Sequence, residues 1–160
     1  KVFTGTIQSG KSKGQVRKLS RLAGNSACVI TIREHNMAEE DRCVTGIFMV
    51  QDDFDGSLCE DGYIAAHPEY RLQLTEKESR KILFWNYYFN ERFPKRMTWN
   101  AGRHRYLDNI WVAQILKDLI SLRKNSDNEE TAQSFFQHYC KANHINENEI
   151  LEPNGALKRI

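Results

Sequence analysis

Residues 26–33 (SACVITIR) and 42–50 (RCVTGIFMV) carry the clearest strand pattern in the sequence. β-branched and other apolar residues dominate both stretches, which is typical of buried strands, and an acidic turn separates them. The gap is too short for the crossover that parallel strands need, so the two are expected to be antiparallel neighbours. The main predicted strands are therefore residues 28–33 and 43–50. Shorter strand candidates lie at residues 2–8, 63–65 and 70–74.

Helices are predicted in the second half of the chain, where residues that can cap free backbone N–H groups mark three helix starts. These caps are Thr75 with Glu78, Asp108, and Ser126 with Glu129. The first helix is predicted over residues 76–90, and the other two run to about residues 122 and 141. Because strands come first and helices follow, the sequence predicts an α+β domain whose short strands close into a small mixed or antiparallel β-barrel.

Composition indicates one globular domain. The 160 residues are 40% hydrophobic and 28% charged, with a formal net charge of +2. No apolar stretch approaches the ~20 residues that a membrane helix needs, so no membrane partner is expected. We expect a cytoplasmic protein, or a nuclear one in a eukaryotic cell. Because the first residue is Lys1, we also expect a segment excised from a longer protein with further domains.

Motifs for catalysis and metal binding are weak, so neither a catalytic residue nor a cofactor is assigned. Residues 5–12 (GTIQSGKS) fit the phosphate-loop pattern GxxxxGK[ST], but the strand and helix that should flank it are poorly indicated. Residues 52–56 resemble a calcium loop without the glutamate at its twelfth position. His138, Cys140 and His144 are metal-ligating types without an evident fourth ligand.

Charges are segregated along the chain. Residues 1–24 contain six basic residues and no acid, and residues 92–105 contain five basic residues and no acid. Residues 38–61 contain eight acids against a single Arg42. We therefore predict one acidic and one basic region. The basic region favours a phosphate-facing surface, since Lys and Arg supply the sequence-independent part of nucleic-acid binding, although a solvated charged face is the alternative.

Residues 97–108 (MTWNAGRHRYLD) are the most unusual stretch, because aromatic, amide and basic residues follow one another in a loop-like run. Aromatic faces stack on bases, an asparagine amide can pair with a base edge, and arginines reach phosphates. In the alternative interpretation, Trp99 and Tyr106 fill the end of a barrel while the arginines stay in solvent. The residues alone leave both interpretations open.

The paired strands of residues 26–33 and 42–50 resemble the core of PUA-like domains, in particular the EVE and YTH branch. The resemblance covers residues 27–74 and the loop at residues 98–108. It implies a pocket at the barrel edge that accepts a single flipped-out base, commonly a modified one. The residues it implicates are Trp99 for stacking, Asn100 and Thr31 for reading the base edge, and Arg33, Arg103 and Arg105 for phosphate, with Tyr106 as a further nucleic-acid-binding candidate.

The leading functional hypothesis is a non-catalytic recognition module. It binds nucleic acid carrying a modified base, DNA more readily than RNA, and targets a larger effector such as a modification-dependent restriction nuclease. The second hypothesis is a protein-interaction or regulatory domain whose partner surface is the aromatic helix region at residues 85–89, because aromatic residues are enriched at interfaces. The third is an enzyme, either a nucleotide hydrolase using Lys11 and Ser12 or a nuclease using the acids of residues 52–55.

Overall fold

The first half of the chain forms two small antiparallel sheets in the computed structural model, which describes residues 1–99 and 102–160. The strands are β1 (Val2–Phe3), β2 (Ala27–Ile32), β3 (Cys43–Val50), β4 (Tyr63–Ile64) and β5 (Ala66–Gln73). Strands β1 and β4 pair with each other, and the second sheet has the order β2-β3-β5. Within the described residues, no hydrogen-bonded pairing of strands joins these sheets into a closed barrel.

Helices follow the strands, so the protein is an α+β protein, as predicted. The helices are α1 (Glu76–Ser79), α2 (Asn109–Leu122) and α3 (Glu129–Ala142). Single 3-10 turns lie at Glu39–Asp41, Phe84–Asn86, Glu147–Glu149 and Ala156–Lys158. None of the described helices has the length and apolar character needed to cross a membrane.

Strand β3 organises the core because it is apolar on both faces. Val44, Ile47 and Met49 are fully or almost fully buried in the main cluster with α2 and α3. Phe48 and Val50 point to the other face of the sheet, where they pack in a second cluster. A bulge in the β2–β3 pairing keeps Val44 and Ile47 on one face despite their odd spacing, because an extra residue shifts the alternation of the strand.

The helix predicted over residues 76–90 is wrong in extent, although its capping box is confirmed. The Glu78 N–H donates to Thr75 Oγ1 at 3.2 Å, and the Thr75 N–H donates to Glu78 Oε1 at 3.0 Å. The helix ends at Ser79, because the next backbone groups pair with β3: the Val44 N–H donates to the Ile82 carbonyl at 2.9 Å. Tertiary pairing with a central strand has outweighed local helical periodicity.

The second predicted capping box, Ser126 with Glu129, is wrong, whereas the Asp108 cap is confirmed. The Asp108 side chain accepts from the Ile110 N–H and caps α2. Ser126 instead donates its hydroxyl to the Arg123 carbonyl at 2.6 Å, and the Glu129 carboxylate accepts from the Asn125 N–H at 2.8 Å. These bonds close the turn between α2 and α3, so α3 begins two residues later than the box implies.

The remaining strand predictions differ from the structure mainly in their ends. The strand predicted over residues 2–8 stops at Phe3, because the chain then turns into a hairpin. The strand predicted over residues 70–74 begins earlier, since β5 starts at Ala66. The acidic segment after β3 is the predicted exposed connection and consists mostly of turns.

Candidate functional site

A cleft of about 540 Å³ lies between β2 and the loop that leads into α2. Residues of β1, β2 and β4 line one side, and Trp99 with residues 102–107 lines the other. Five of the sequence-predicted residues are brought together around this cleft: Thr31, Trp99, Arg103, Arg105 and Tyr106. Arg33 does not line it, and Asn100 lies outside the described residues.

The cleft is positively charged. Its lining includes Arg21, Arg42, Arg103 and Arg105, while no aspartate or glutamate lines it in the part of the chain that the structure describes. Apolar side chains of the core complete the lining. A pocket with several cations and low-dielectric walls concentrates positive potential, which favours an anionic ligand.

The two basic segments of the sequence meet at the rim of this cleft. Arg103 packs against Gly5, because its Cδ lies 3.6 Å from the position that a Cβ on that glycine would take. The Arg21 guanidinium lies over the Tyr106 ring, 4.3 Å from the ring centroid. Tertiary folding thus joins two cationic stretches that are far apart in sequence.

Trp99 is held by cations and by its own loop. The Arg42 and Arg105 guanidinium carbons lie 4.0 Å and 4.8 Å from the ring centroid. The indole N–H donates to the Gly102 carbonyl at 3.0 Å, and the ring meets Phe84 edge-on at 5.4 Å. Cation–π attraction therefore stabilises the orientation of an indole that lines the cleft.

Arg105 supports the loop. Its guanidinium donates to the carbonyls of Thr98, at 2.9 Å, and of Trp99. It also lies 4.9 Å from the Tyr88 ring centroid. Arg105 therefore uses guanidinium N–H groups for hydrogen bonds within the chain, and fewer are left for a ligand. Arg103 is exposed and makes no ion pair among the described residues, so it is the more accessible cation for a ligand.

Glu39 connects the cleft to the core, and sequence reasoning did not single it out. Its carboxylate accepts from Arg42 Nε at 2.5 Å and from Trp85 Nε1 at 3.2 Å, and it pairs with Arg33 Nε at 3.1 Å. Burial opposes ionisation of Glu39, but the bonds from Arg42 and Trp85 outweigh it and lower the pKa of this carboxyl. Glu39 thereby compensates the charges of Arg42 and Arg33 and holds Arg42 over Trp99.

The side of β2 that lines the cleft is an open sheet edge. The Val50 N–H donates to the Ser26 carbonyl at 2.9 Å, and the register then places Ala27 and Val29 at non-hydrogen-bonded positions opposite β3. Their N–H and C=O groups point away from β3 and find no hydrogen-bond partner among the described residues. Main-chain donors and acceptors are therefore offered along this edge, beside the Thr31 hydroxyl, which accepts from Arg42.

The pKa of His104 depends on the electrostatic potential at the cleft. Burial is the largest cause that lowers the pKa of its imidazole, and the charges of Arg17 and Arg103 lower it further. The neutral form is therefore favoured at neutral pH. An anion bound beside His104 would offset the two arginines and raise this pKa, so anion binding and proton uptake are linked.

We expect His104 to titrate below the ordinary histidine value of about 6.5. Arg103→Ala removes one of the repelling charges and should raise the midpoint, as measured by NMR titration of the ring protons. Arg80→Ala, in an exposed pair with Glu76, is the control that should leave the His104 midpoint unchanged.

Because the unfolded chain binds the His104 proton more readily than the folded protein, the contribution of His104 to stability is present above pH ~6.5 and is lost as the pH falls through the folded pKa. A midpoint that Arg103→Ala does not move contradicts the positive potential.

The weak motifs take other roles in the structure. Residues 5–12 belong to a hairpin and are followed by no helix, so the phosphate-loop context is missing. His138 stacks on Tyr70, with ring centroids 4.2 Å apart. Among the described residues, no three His, Cys, Asp or Glu side chains are grouped as metal ligands.

Comparison of the chain with protein-family models, with curated proteins and with solved structures finds no match. The functional conclusion therefore depends on the cleft itself. Its distinguishing features are the arginine lining, the rings of Trp99 and Tyr106, and the open edge of β2.

Proposed function

We propose that this chain is a nucleic-acid recognition module that holds a single flipped-out base, in a modified form, in the cleft beside β2. The observation that carries the proposal is one cleft that is lined by four arginines, the rings of Trp99 and Tyr106 and an open strand edge. At about 540 Å³ the cleft is within the ~300–1,000 Å³ usual for small-ligand sites, which is enough for a base with its sugar.

Two kinds of contact would recognise the base: aromatic rings stack on its face, and main-chain groups pair with its edge. Tyr106 is 43% exposed and Trp99 lines the same cleft, and such rings stack on bases of any sequence. We assign the unpaired N–H and C=O groups of Val29 to a polar base edge, together with Thr31 and with Asn100, which lies outside the described residues. Selectivity then depends on the hydrogen-bonding pattern and shape of the base.

Phosphate contacts would come from the cleft rim. Arg103 and Arg21 line the cleft without a carboxylate partner among the described residues, and Arg17 is close enough to perturb His104. Arg33, which was predicted to contact phosphate, is paired with Glu39, so we assign it a smaller share. DNA is the proposed partner, with RNA as the alternative for the same chemistry.

A PUA-like architecture of the EVE and YTH type is part of the proposal. It is supported by the position of the cleft, which lies between the β1–β4 sheet and the edge of β2, where closure of a small barrel would occur. In this proposal the chain directs a larger effector, such as a modification-dependent restriction nuclease, to its target.

The interaction-domain alternative is less favoured by the packing of its key residues. Trp85 is 0% exposed and Tyr87 is 2% exposed, so neither ring is available to a partner. Within residues 85–89, Tyr88 and Phe89 retain partial exposure, and both rings already pack on Trp111. The burial of these aromatics agrees with a core role.

The test is a fluorescence-anisotropy titration of matched DNA and RNA duplexes with and without base modifications, at two salt concentrations. We expect tighter binding to one modified duplex, affinity that falls steeply with salt, and a change in tryptophan emission on binding. Equal affinity for every modified and unmodified duplex would overturn base recognition. Absence of binding at low salt would overturn the nucleic-acid proposal as a whole.

Arg103→Ala should weaken binding to modified and unmodified duplexes by the same factor. Arg103 is proposed to contact phosphate, so the slope of log affinity against log salt should decrease in magnitude by about 1. Arg105→Ala is less informative, because Arg105 holds the loop carbonyls. Arg80→Ala, which removes an equal charge outside the cleft, is the control. An unchanged slope in Arg103→Ala would show that Arg103 makes no phosphate contact.

A further inference from the structure

Residues 5–17 form a β-hairpin that projects from the rim of the cleft. The Arg17 N–H donates to the Gly5 carbonyl, and the Ile7 N–H donates to the Gln15 carbonyl, both at 2.9 Å. Its base is anchored, because the buried Thr4 hydroxyl donates to the Arg17 carbonyl. Residues 8–15 are all exposed. The hairpin is thus an arm with a fixed base and a tip in solvent.

The charge of this arm is uncompensated. Lys11 and Lys13 stand at the tip, and Arg17 and Lys18 stand at the base. No acidic residue occurs in residues 1–24, and none of these four cations pairs with a carboxylate in the part of the chain that the structure describes. Three cations on one narrow arm, with Lys18 directly after it, make a surface complementary to a row of negative charges.

The base of the arm lies at the rim of the cleft. Gly5, at its base, packs against Arg103 of the cleft rim. Residues 5–7 are hydrogen-bonded to residues 14–17, and bends and turns close the arm between them. Because the arm starts at the cleft rim, the phosphates next to a base held in the cleft are the ones nearest to its cations.

We propose that the hairpin is a second nucleic-acid contact surface, which binds the phosphate backbone flanking the recognised base. This inference rests on the proposed function and adds a division of roles to it. The cleft distinguishes one base from another, whereas the hairpin adds affinity that is independent of sequence and modification. Lysine suits this role, because its ammonium is a flexible point charge that needs no particular donor geometry.

The test is the double variant Lys11→Ala/Lys13→Ala, titrated with modified and unmodified duplexes over a series of salt concentrations. We expect weaker binding to both duplexes, an unchanged ratio between the two affinities, and a salt slope smaller in magnitude by about 2. Both lysines are exposed at a tip where the flanking glycines meet no neighbour, so the fold should not change.

A matched control is Lys77→Ala/Lys124→Ala, which removes the same charge from exposed positions outside the cleft lining. It should leave the salt slope close to that of the wild type. If the hairpin variant and the control behave alike, the hairpin makes no phosphate contact, although base recognition by the cleft stands. If the wild type binds no duplex at low salt, both this inference and the proposed function fail.

Discussion

Trp99→Ala is expected to abolish the preference for a modified base. Stacking of one base on an aromatic ring contributes about 1–3 kcal/mol, so affinity for the preferred duplex should fall roughly 5- to 150-fold. Affinity for an unmodified duplex, which depends on phosphate contacts, should fall less. The measurement is the ratio of the two anisotropy affinities, with circular dichroism to show that the variant is folded.

Trp99→Phe separates stacking from loop support. Phenylalanine keeps an aromatic face for Arg42 and Arg105 but loses the indole N–H that donates to the Gly102 carbonyl. If stacking is the role of Trp99, Trp99→Phe retains most of the preference. If Trp99→Ala is folded and keeps the wild-type preference, the assignment of this cleft to the base is wrong.

Arg123→Ala is expected to lower the free energy of unfolding by about 3 kcal/mol. The Arg123 side chain is 9% exposed, and it donates to Glu78 Oε2 at 2.9 Å and to the Gln73 carbonyl at 2.7 Å. Removing one partner of a buried ion pair costs about 3–5 kcal/mol, and the lower end applies because Glu78 is 19% exposed. Chemical denaturation of the two proteins measures the difference.

The exposed pair of Arg80 and Glu76 supplies the comparison. Their side chains are 65% and 80% exposed, so Arg80→Ala should cost at most about 1 kcal/mol. The bond from Arg123 is the largest cause that lowers the pKa of the Glu78 carboxyl. The stability that the pair contributes is therefore lost as the pH falls through that pKa, and the cost of Arg123→Ala should shrink in acid. Equal costs for the two variants at neutral pH would show that the buried pair does not anchor α2.

Local signals predicted the elements well where long-range contacts agree with them. The bounds of β3 were predicted correctly, because a run dominated by apolar and β-branched residues lies between polar Arg42 and Gln51. Thr75 and Asp108 act as the predicted caps, since a cap needs only backbone groups two or three residues away. The helix over residues 76–90 failed because the Ile82 carbonyl accepts from Val44, a residue that no local pattern connects with it.

The candidate site was predictable only in part, because only some of its residues are neighbours in the sequence. Trp99, Arg103 and Tyr106 belong to one short segment, so their residue types alone indicated a binding loop. The part that Arg42 and Glu39 play at the site was not predicted, because both residues lie in an acidic turn of the sequence. Only the fold places Arg42 over Trp99 and brings Glu39 within hydrogen-bond distance of both Arg42 and the Trp85 indole N–H.

The α+β class, the central strand and the segregation of charge are already evident in the sequence, because each depends on composition and on contacts between near neighbours. The fold was needed to bring residues 1–24 and the loop before α2 together at one cleft and to leave the edge of β2 open beside them. The reason is physical: periodicity and capping act over a few residues, whereas a binding site depends on packing between segments that the sequence holds far apart.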